Sequence, residues 1–298
     1  MLMRKPIESL FAAGLHAALA PLVFALCGLI PAECGAQEAA VLSKRSGLYL
    51  ETFLAFEKAF GSPVRAFDIS AGKPLLPQDL KAVVAFGSKA TAFEYPVKTK
   101  VIYLLSPGFR VKNTGGRFTK ISVLPEASQA IAAYKKLQPG LKRLAVLFKK
   151  PEPGHYISEL AAAAKRRGLE IIPVGMNGPG EFPDKLRGLA GKIDAFWLLP
   201  EPALINSTSL MVLAEFSCSN KLPFYAPSGG LTELGAAASF APNSTETGVT
   251  AAWALEKALA GETLPGDIYI PRSEITINES FIVKCGLPVK LPRAGVAQ

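Results

Sequence analysis

The chain has 298 residues, of which 49% are hydrophobic and 19% charged, and its formal net charge is +9. This composition excludes an intrinsically disordered chain and supplies enough apolar residues for one or two packed domains. The positive charge invites comparison with nucleic-acid-binding proteins, but lysine and arginine occur in short, dispersed clusters without a basic–aromatic motif. We therefore expect no nucleic-acid partner and interpret the clusters as solvated surface.

The N-terminal segment differs in composition from the rest of the chain. Arg4 and Lys5 precede an apolar stretch over residues 10–30, and small residues follow it up to Ala36. This order is typical of a secretory signal peptide, so we predict a signal over residues 1–36 and a mature protein in the periplasm. A retained membrane anchor is the alternative, because the run approaches the roughly 20 residues that span a bilayer. Pro21 and Pro31 interrupt it.

Cys34 offers a further alternative for the N-terminus, in which it becomes the lipidated first residue of a lipoprotein. Glu33 directly precedes it, which matches a lipidation motif poorly. We therefore expect cleavage without a lipid anchor.

Strand-length apolar runs alternate with helical patterns through the first half of the chain. The predicted elements are a strand at Ala39–Leu42, a helix at Gly47–Phe60, and strands at Val64–Ile69, Leu80–Phe86 and Val101–Leu105. Gly and Ser or Pro residues follow most of these segments, as expected where a strand or helix ends.

The second half repeats this rhythm more clearly. The predicted helices are Pro125–Leu137, His155–Arg167, Phe182–Leu189, Leu204–Asn220 and Thr247–Ala260, with a turn or short helix at Gly230–Gly235. The predicted strands are Arg143–Phe148, Glu170–Val174, Ile193–Leu199 and Pro223–Ala226, and the tail over Ile268–Pro288 is extended. Such alternation predicts parallel strands joined by crossover helices.

Two consecutive series of such units predict two similar, Rossmann-like α/β lobes with parallel sheets. We assign residues 37–121 and 243–267 to the N-terminal lobe, and residues 122–242 and 268–292 to the C-terminal lobe. The chain is expected to pass between the lobes three times. The expected crossings lie near Ser122–Leu124, Ser239–Pro242 and Asp267–Pro271.

No constellation in the sequence calls for catalysis. Outside the predicted signal, His155 is the only histidine, so paired histidine metal ligands and a triad with a second histidine are unsupported. Neither a nucleophile elbow nor a phosphate-binding loop is present. We predict a protein that is not an enzyme and needs neither cofactor nor metal.

After removal of the signal, Cys218 and Cys285 are the remaining cysteines. An even pair in an oxidising compartment can form one disulfide. Both residues also lie in apolar contexts that suit buried free thiols. The sequence leaves these two alternatives open.

Polar residues follow several predicted strands at their carboxyl ends. In parallel α/β sheets this edge is where loops and helix N-termini converge on a ligand. The candidate ligand-binding residues are Ser43, Gly87, Ser88 and Ser106 in the first lobe, and His155, Glu201 and Ser228 in the second. A serine in such a position also serves as a simple helix cap, so the argument depends on their joint placement.

Several stretches of the second half form a recognisable set: Asp194–Pro200, Leu213–Ser217, Lys221–Ala226, Gly235–Ala236, Thr247–Gly248, Leu259–Glu262, Ile275–Asn278 and Cys285–Pro288. Together they resemble the substrate-binding proteins of ABC transporters with the type I periplasmic-binding-protein fold. The subgroup they resemble most is an uncharacterised transport group that includes aromatic amino-acid binders.

This resemblance implies two lobes that close over a ligand by hinge motion, with three interlobe crossings and delivery to a permease in the inner membrane. It also implies that Ser43, Ser88 and Ser106 face the cleft from one lobe, opposite His155, Glu201 and Ser228. The loop over residues 149–155 departs from the family pattern, and the first lobe lacks a clear acidic anchor for an amino-acid ammonium group.

We predict a monomeric, extracytoplasmic protein that captures a small ligand, such as an amino acid or a similar polar metabolite, for an ABC importer. The alternative is a sensory or accessory envelope protein of the same fold that has lost transport. The altered loop before His155 favours this alternative.

Overall fold

The computed structural model describes residues 37–108, 111, 116–151 and 155–291. The predicted signal peptide and Cys34 lie outside the described residues. None of the helices in the described part of the chain is long and apolar enough to cross a membrane.

The described chain forms two six-stranded sheets. The strands are β1 (Glu38–Leu42), β2 (Ala66–Asp68), β3 (Ala82–Phe86), β4 (Lys100–Leu104), β5 (Phe118–Ser122), β6 (Arg143–Lys149), β7 (Glu170–Met176), β8 (Ala195–Leu198), β9 (Phe224–Ala226), β10 (Ala238–Ala241), β11 (Asp267–Tyr269) and β12 (Glu274–Ile277).

Eight α-helices of the described chain cover the faces of these sheets. They are α1 (Gly47–Phe60), α2 (Ser88–Thr91), α3 (Ala127–Leu137), α4 (Tyr156–Lys165), α5 (Phe182–Leu189), α6 (Ser207–Asn220), α7 (Ser244–Leu259) and α8 (Glu279–Cys285).

The first sheet has the strand order β11-β5-β4-β3-β1-β2, and all its pairings are parallel. Every residue of the central strand β3 is buried, as expected for a strand covered on both faces. Helices α1 and α7 pack together on one face. At their contact, a Cβ added to Gly248 would lie 2.5 Å from the Phe56 backbone nitrogen, so only glycine permits this approach.

The second sheet has the order β12-β10-β9-β8-β6-β7. Helices α3 and α4 bury apolar residues against one face, and α5 and α6 cover the other. Strand β12 pairs antiparallel with β10, which differs from the all-parallel prediction. The chain enters β12 directly from the other lobe at the sheet edge and needs no crossover helix, so an antiparallel strand fits there.

The chain passes between the two sheets three times. It leaves the first sheet after β5, returns from β10 to α7, and leaves again between β11 and β12. The predicted fold, with two Rossmann-like α/β lobes and three crossings, is confirmed.

Two local differences from the predicted elements have clear causes. The helix predicted from Leu204 begins at Ser207, because Pro202 starts a separate short turn and Asn206 caps the helix by accepting a hydrogen bond from the Ser209 backbone N–H at 2.8 Å. Helix α7 begins three residues before the predicted Thr247, where the Asn243 side chain caps it.

Cys218 and Cys285 form a disulfide between α6 and the end of α8. Of the two alternatives that the sequence leaves open, the structure therefore has the disulfide. It ties the last described helix to the second lobe.

Candidate functional site

A cavity of about 600 Å³ lies between the two lobes, at the carboxyl ends of their parallel strands. We call it the main cavity. Its walls come from α1, from the loops after β3, β4, β8 and β9, and from the crossings themselves. The lining residues are Leu48, Tyr49, Glu51, Ser88, Leu105, Pro107, Val123, Pro200, Pro202, Ile205, Pro227, Ser228, Gly229, Gly230, Leu231, Ala241, Pro242, Asn243, Ser244, Thr247 and Glu274.

The wall from the first lobe depends on close packing at Gly87. This residue has φ +92°, and an added Cβ would lie 2.6 Å from both Ser43 Oγ and Tyr49 Cε1. The absence of a side chain lets the Tyr49 ring lie directly against the turn that carries Ser88. Tyr49 and Ser88 therefore face the same cavity.

The opposite wall comes from the turn after β9. Ser228 precedes a short 3-10 helix over Gly229–Leu234, and a Cβ on Gly229 would meet Thr276 Oγ1 at 2.7 Å. The turn is thereby pressed against β12, which places Ser228 and Gly230 on the cavity surface.

Two carboxylates lie beside the N-terminus of α7, where the chain re-enters the first lobe. Asn243 Nδ2 donates a hydrogen bond to Glu274 Oε2 at 3.0 Å. Ser244 Oγ lies 3.5 Å from Glu51 Oε2. All four residues line the main cavity, and no lysine or arginine occurs among its described lining residues, so its charged groups are acidic.

A second cavity of about 290 Å³ lies next to the first and is also formed by both lobes. We call it the basic cavity. Pro107, Val123 and Pro200 line both cavities and so lie between them. The other lining residues of the basic cavity are Gly108, Lys120, Ser122, Leu124, Lys149, Lys150, Pro151, Leu199 and Glu201.

Glu201 is the most buried charged side chain at this site, with 9% of its surface exposed. Burial raises the pKa of its carboxyl group above the usual 4.5, while the positive charges of Lys120 and Lys149 act in the opposite direction. Lys120 comes from β5 of the first lobe and Lys149 from β6 of the second. One carboxylate is thus held in the field of a lysine from each lobe.

Of the candidate ligand-binding residues, Ser88 and Ser228 line the main cavity and Glu201 lines the basic cavity. Ser43 and Ser106 are buried beside them and make local bonds. The Ala90 backbone N–H donates to Ser43 Oγ at 3.0 Å, and the hydroxyls of Ser106 and Thr91 lie 2.7 Å apart. Ser43, Gly87 and Ser106 are not among the described residues that line either cavity.

His155 lies at the start of α4 with its side chain 62% exposed. Its Nε2 lies 3.0 Å from Glu159 Oε1, and the other oxygen of Glu159 accepts a hydrogen bond from the Tyr269 hydroxyl at 2.8 Å. Because Tyr269 ends β11 of the first sheet, this group joins the two lobes at their junction. His155 is not among the described lining residues of either cavity.

Sequence reasoning did not single out Tyr49, Glu51, Glu274, Lys120 or Lys149 as binding residues. Lys149 ends β6 and could have been found by the strand-end rule. Glu51 lies in the second turn of α1 and Glu274 starts a strand after the last crossing, so no local pattern places them beside a ligand.

Two α/β lobes joined by three crossings, with a cavity between the carboxyl ends of their strands, define a protein with the periplasmic-binding-protein-like fold. Residues 106–288 match the family described as ABC transporter substrate binding protein. The chain belongs to this family.

Solved structures of similar fold include an ABC domain in complex with L-Trp from Streptococcus pneumoniae. It has a TM-score of 0.59 and 18% identity, covering 86% of this chain and 96% of that one. The ligand-free, open form of a substrate-binding protein with adhesive properties from Clostridium difficile has a TM-score of 0.60 and 15% identity, covering 86% and 96%.

A conserved domain protein from Vibrio cholerae is similar too, with a TM-score of 0.58 and 15% identity, covering 87% of this chain and 97% of that one. At these identities the likeness concerns the fold. No curated protein matches the sequence.

Proposed function

We propose that this protein captures a small solute in the cleft between its lobes and presents it to the permease of an ABC importer. The observation that carries the proposal is the main cavity, which is walled by both lobes and by the segments that join them. A volume of about 600 Å³ falls in the range usual for small-molecule sites. Hinge motion at the three crossings would open and close this cavity.

Within the cleft, we propose that Ser88 and Ser228 supply hydrogen-bonding groups from opposite lobes. Tyr49, Pro200 and Pro227 offer apolar surface around them. The L-Trp complex of the pneumococcal structure supports a small solute as ligand for this fold. We propose that Ser43, Gly87 and Ser106 act indirectly, because their side chains or backbone hold the turns that form the wall.

We propose lobe boundaries that follow the two sheets. The N-terminal lobe would hold residues 37–122 and 243–269, and the C-terminal lobe residues 123–242 and 270–291. The ends of β5 at Ser122 and β11 at Tyr269 support these positions.

We further propose that the protein is exported to the periplasm, acts as a monomer, catalyses no reaction and binds no nucleic acid. The signal-like N-terminus and the family membership support export. No group of three or more side chains that could hold a metal ion occurs within the described residues.

The test is thermal unfolding of the mature protein across a panel of amino acids, sugars and other small metabolites. A ligand at 100 times its Kd stabilises the folded protein by about 2.7 kcal/mol. For a protein of this size the expected rise in Tm is about 5–10 °C. If no solute in the panel raised the Tm, the proposal would be contradicted.

A variant pair locates the site. A Cβ on Gly230 meets no atom within 4 Å, so Gly230→Leu should fold and fill part of the main cavity. The control is Gly140→Leu, since Gly140 is equally unobstructed but lies in the turn before β6. Ligand-induced stabilisation should fall in Gly230→Leu and stay unchanged in Gly140→Leu. If ligand-induced stabilisation fell equally in both variants, or stayed unchanged in both, the ligand would have to bind outside the main cavity.

A further inference from the structure

Positive charge that is dispersed along the sequence converges at one end of the C-terminal lobe. Because β6, β7, β8 and β9 are parallel, the loops that precede them lie together at the amino edge of the second sheet, opposite to the edge that forms the cleft. The end of α8 and the residues after it join these loops. We call this surface the basic pole. Its five segments are residues 135–143, 165–170, 187–194, 218–223 and 283–290.

Backbone hydrogen bonds and the disulfide hold the five segments against one another. The Lys142 carbonyl accepts a hydrogen bond from the Glu170 backbone N–H at 2.8 Å. The Lys142 backbone N–H donates to Asp194 Oδ2 at 2.9 Å. The Lys290 backbone N–H donates to the Leu137 carbonyl at 2.7 Å, and the disulfide fixes the end of α6 to the end of α8. The segments therefore form one continuous surface.

The basic pole accounts for the net charge of the whole chain. Its segments contain twelve lysines and arginines and two carboxylates, those of Glu170 and Asp194, which gives a formal charge of +10. The whole chain has 33 lysines and arginines and 24 carboxylates, so the residues outside the pole have 21 and 22 and sum to −1. The excess of positive charge is therefore a property of this one surface.

Most cations of the pole are exposed to solvent. Arg143 pairs with Asp194 at 3.3 Å and Arg187 with Asp184 at 2.8 Å. Lys135 donates hydrogen bonds to two backbone carbonyls of the turn that follows α3. The other nine are exposed, namely Lys136, Lys142, Lys165, Arg166, Arg167, Lys192, Lys221, Lys284 and Lys290. Since Asp194 is half-buried and paired, one exposed carboxylate remains among nine exposed cations.

We propose that the basic pole docks on a membrane surface that contains anionic phospholipids. Its cations are spread over five segments, so they match an array of singly charged headgroups better than one small anion. Seven of the nine exposed cations are lysines, which interact with phosphate groups as point charges. Clusters of about four to eight lysines and arginines bind anionic membranes, because each adds to the attraction near the surface. The exported protein proposed above would meet such lipids and would not meet nucleic acid.

Docking through the pole is compatible with an open cleft. The pole lies at the amino ends of the strands, whereas the main cavity lies at their carboxyl ends. A docked protein would thus keep its cleft directed away from the lipid and accessible to solute. It would have to leave the lipid before the cleft could face a permease in the same membrane. The inference goes beyond solute capture and does not depend on it.

Vesicle flotation of the mature protein tests the proposal without any substitution. Vesicles of phosphatidylcholine with about 30% phosphatidylglycerol are compared with phosphatidylcholine alone in about 50 mM NaCl. We expect at least about tenfold stronger partitioning onto the anionic vesicles, and loss of binding in about 1 M NaCl, where charges are screened beyond about 3 Å. Equal partitioning onto both vesicles, or binding that survives high salt, would overturn the proposal.

A pair of charge variants locates the binding surface. The pole variant carries Lys136→Gln, Lys142→Gln, Lys165→Gln and Lys192→Gln. The control carries Lys58→Gln, Lys73→Gln, Lys89→Gln and Lys98→Gln in the N-terminal lobe. All eight side chains are exposed and both variants lose four charges, so they differ only in where the charge is removed. We expect partitioning onto the anionic vesicles to fall about tenfold or more in the pole variant and less than about twofold in the control. An equal loss in both would contradict docking through the pole.

Other anionic partners are tested with a single-stranded oligonucleotide and a polyglutamate peptide at the same ionic strength. If either probe bound the wild type and the anionic vesicles did not, the assignment of phospholipid would be wrong. Thermal unfolding across the solute panel needs no lipid. A failure of vesicle binding therefore leaves solute capture intact, and a failure of solute capture leaves membrane docking intact.

Discussion

Glu201 of the second lobe touches Gly108 of the first lobe across the cleft. A Cβ added to Gly108 would lie 2.9 Å from Glu201 Oε2, and Gly108 has a left-handed φ of +71°. A methyl group at this position would therefore require the Glu201 carboxylate to shift. This contact lies at the basic cavity, next to the partition between the two cavities.

The first prediction concerns this approach. Gly108→Ala should weaken ligand binding by about fivefold to a hundredfold, because the new methyl group meets the Glu201 carboxylate when the lobes close and such overpacking costs about 1–3 kcal/mol. Isothermal titration calorimetry with the best ligand would measure the affinity, and small-angle scattering would measure how far the lobes close. Gly116→Ala is the control, since Gly116 has the same φ of +71° and no atom within 4 Å of an added Cβ. If both variants bind equally well, the contact has no role in closure.

The second prediction concerns the wall around Tyr49. Gly87→Ala places a methyl group 2.6 Å from Tyr49 Cε1 and Ser43 Oγ, so the ring or the turn must move. Strain and overpacking together should lower the free energy of unfolding by about 2–4 kcal/mol, measured by urea denaturation. Gly61→Ala has a comparable φ of +78° without a close neighbour and should lose less. An equal or larger loss at Gly61 would contradict a contribution from packing against Tyr49.

The third prediction concerns the disulfide. Cys218 and Cys285 are 67 residues apart, so reduction frees a long loop in the unfolded chain. We expect reduction to lower the free energy of unfolding by about 2–4 kcal/mol. The measurement is thermal unfolding with and without dithiothreitol. A Cys218→Ser, Cys285→Ser variant should be as stable as the reduced protein, and dithiothreitol should not change its Tm. A change in its Tm would show that the reductant acts at a site other than this disulfide.

The fourth prediction concerns the pH dependence at Glu201. Burial holds the pKa of this carboxyl group above 4.5 in the folded protein, so the folded state binds the proton more tightly than the unfolded state does. The contribution of Glu201 to stability therefore falls as the pH rises from below 4.5 through the raised pKa. Glu201→Gln should raise the Tm at neutral pH, and the difference should shrink in acid.

Thermal unfolding of both proteins between pH 4 and pH 8 would measure this dependence. Glu233→Gln is the control, because Glu233 is exposed whereas burial raises the pKa of Glu201. The Tm difference between this variant and the wild type should not show the same dependence on pH. A Glu201→Gln variant that is less stable at neutral pH would show that the two lysines outweigh desolvation.

Much of the fold could be predicted from local patterns. Strands such as Ala82–Phe86 are continuous apolar runs because helices cover both faces of the sheet, and Gly61 marks the end of α1 because its left-handed conformation ends a helix. The strand-end rule also named Ser88, Glu201 and Ser228, which line the cleft. The antiparallel β12 could not be predicted, since no local pattern encodes the direction of a short edge strand.

The amino-acid sequence by itself determined that the chain alternates strands and helices, that it divides into two α/β lobes, and that polar residues end several strands. These properties depend on neighbours within one helix or strand. The tertiary structure alone decided that the hydroxyls of Ser43 and Ser106 bond within the first lobe, and that Cys218 meets Cys285. It also placed Lys120 and Lys149 in the lining of one cavity and Glu51 beside the crossing that leads to α7. These pairs lie far apart in the chain, and the three crossings bring them together.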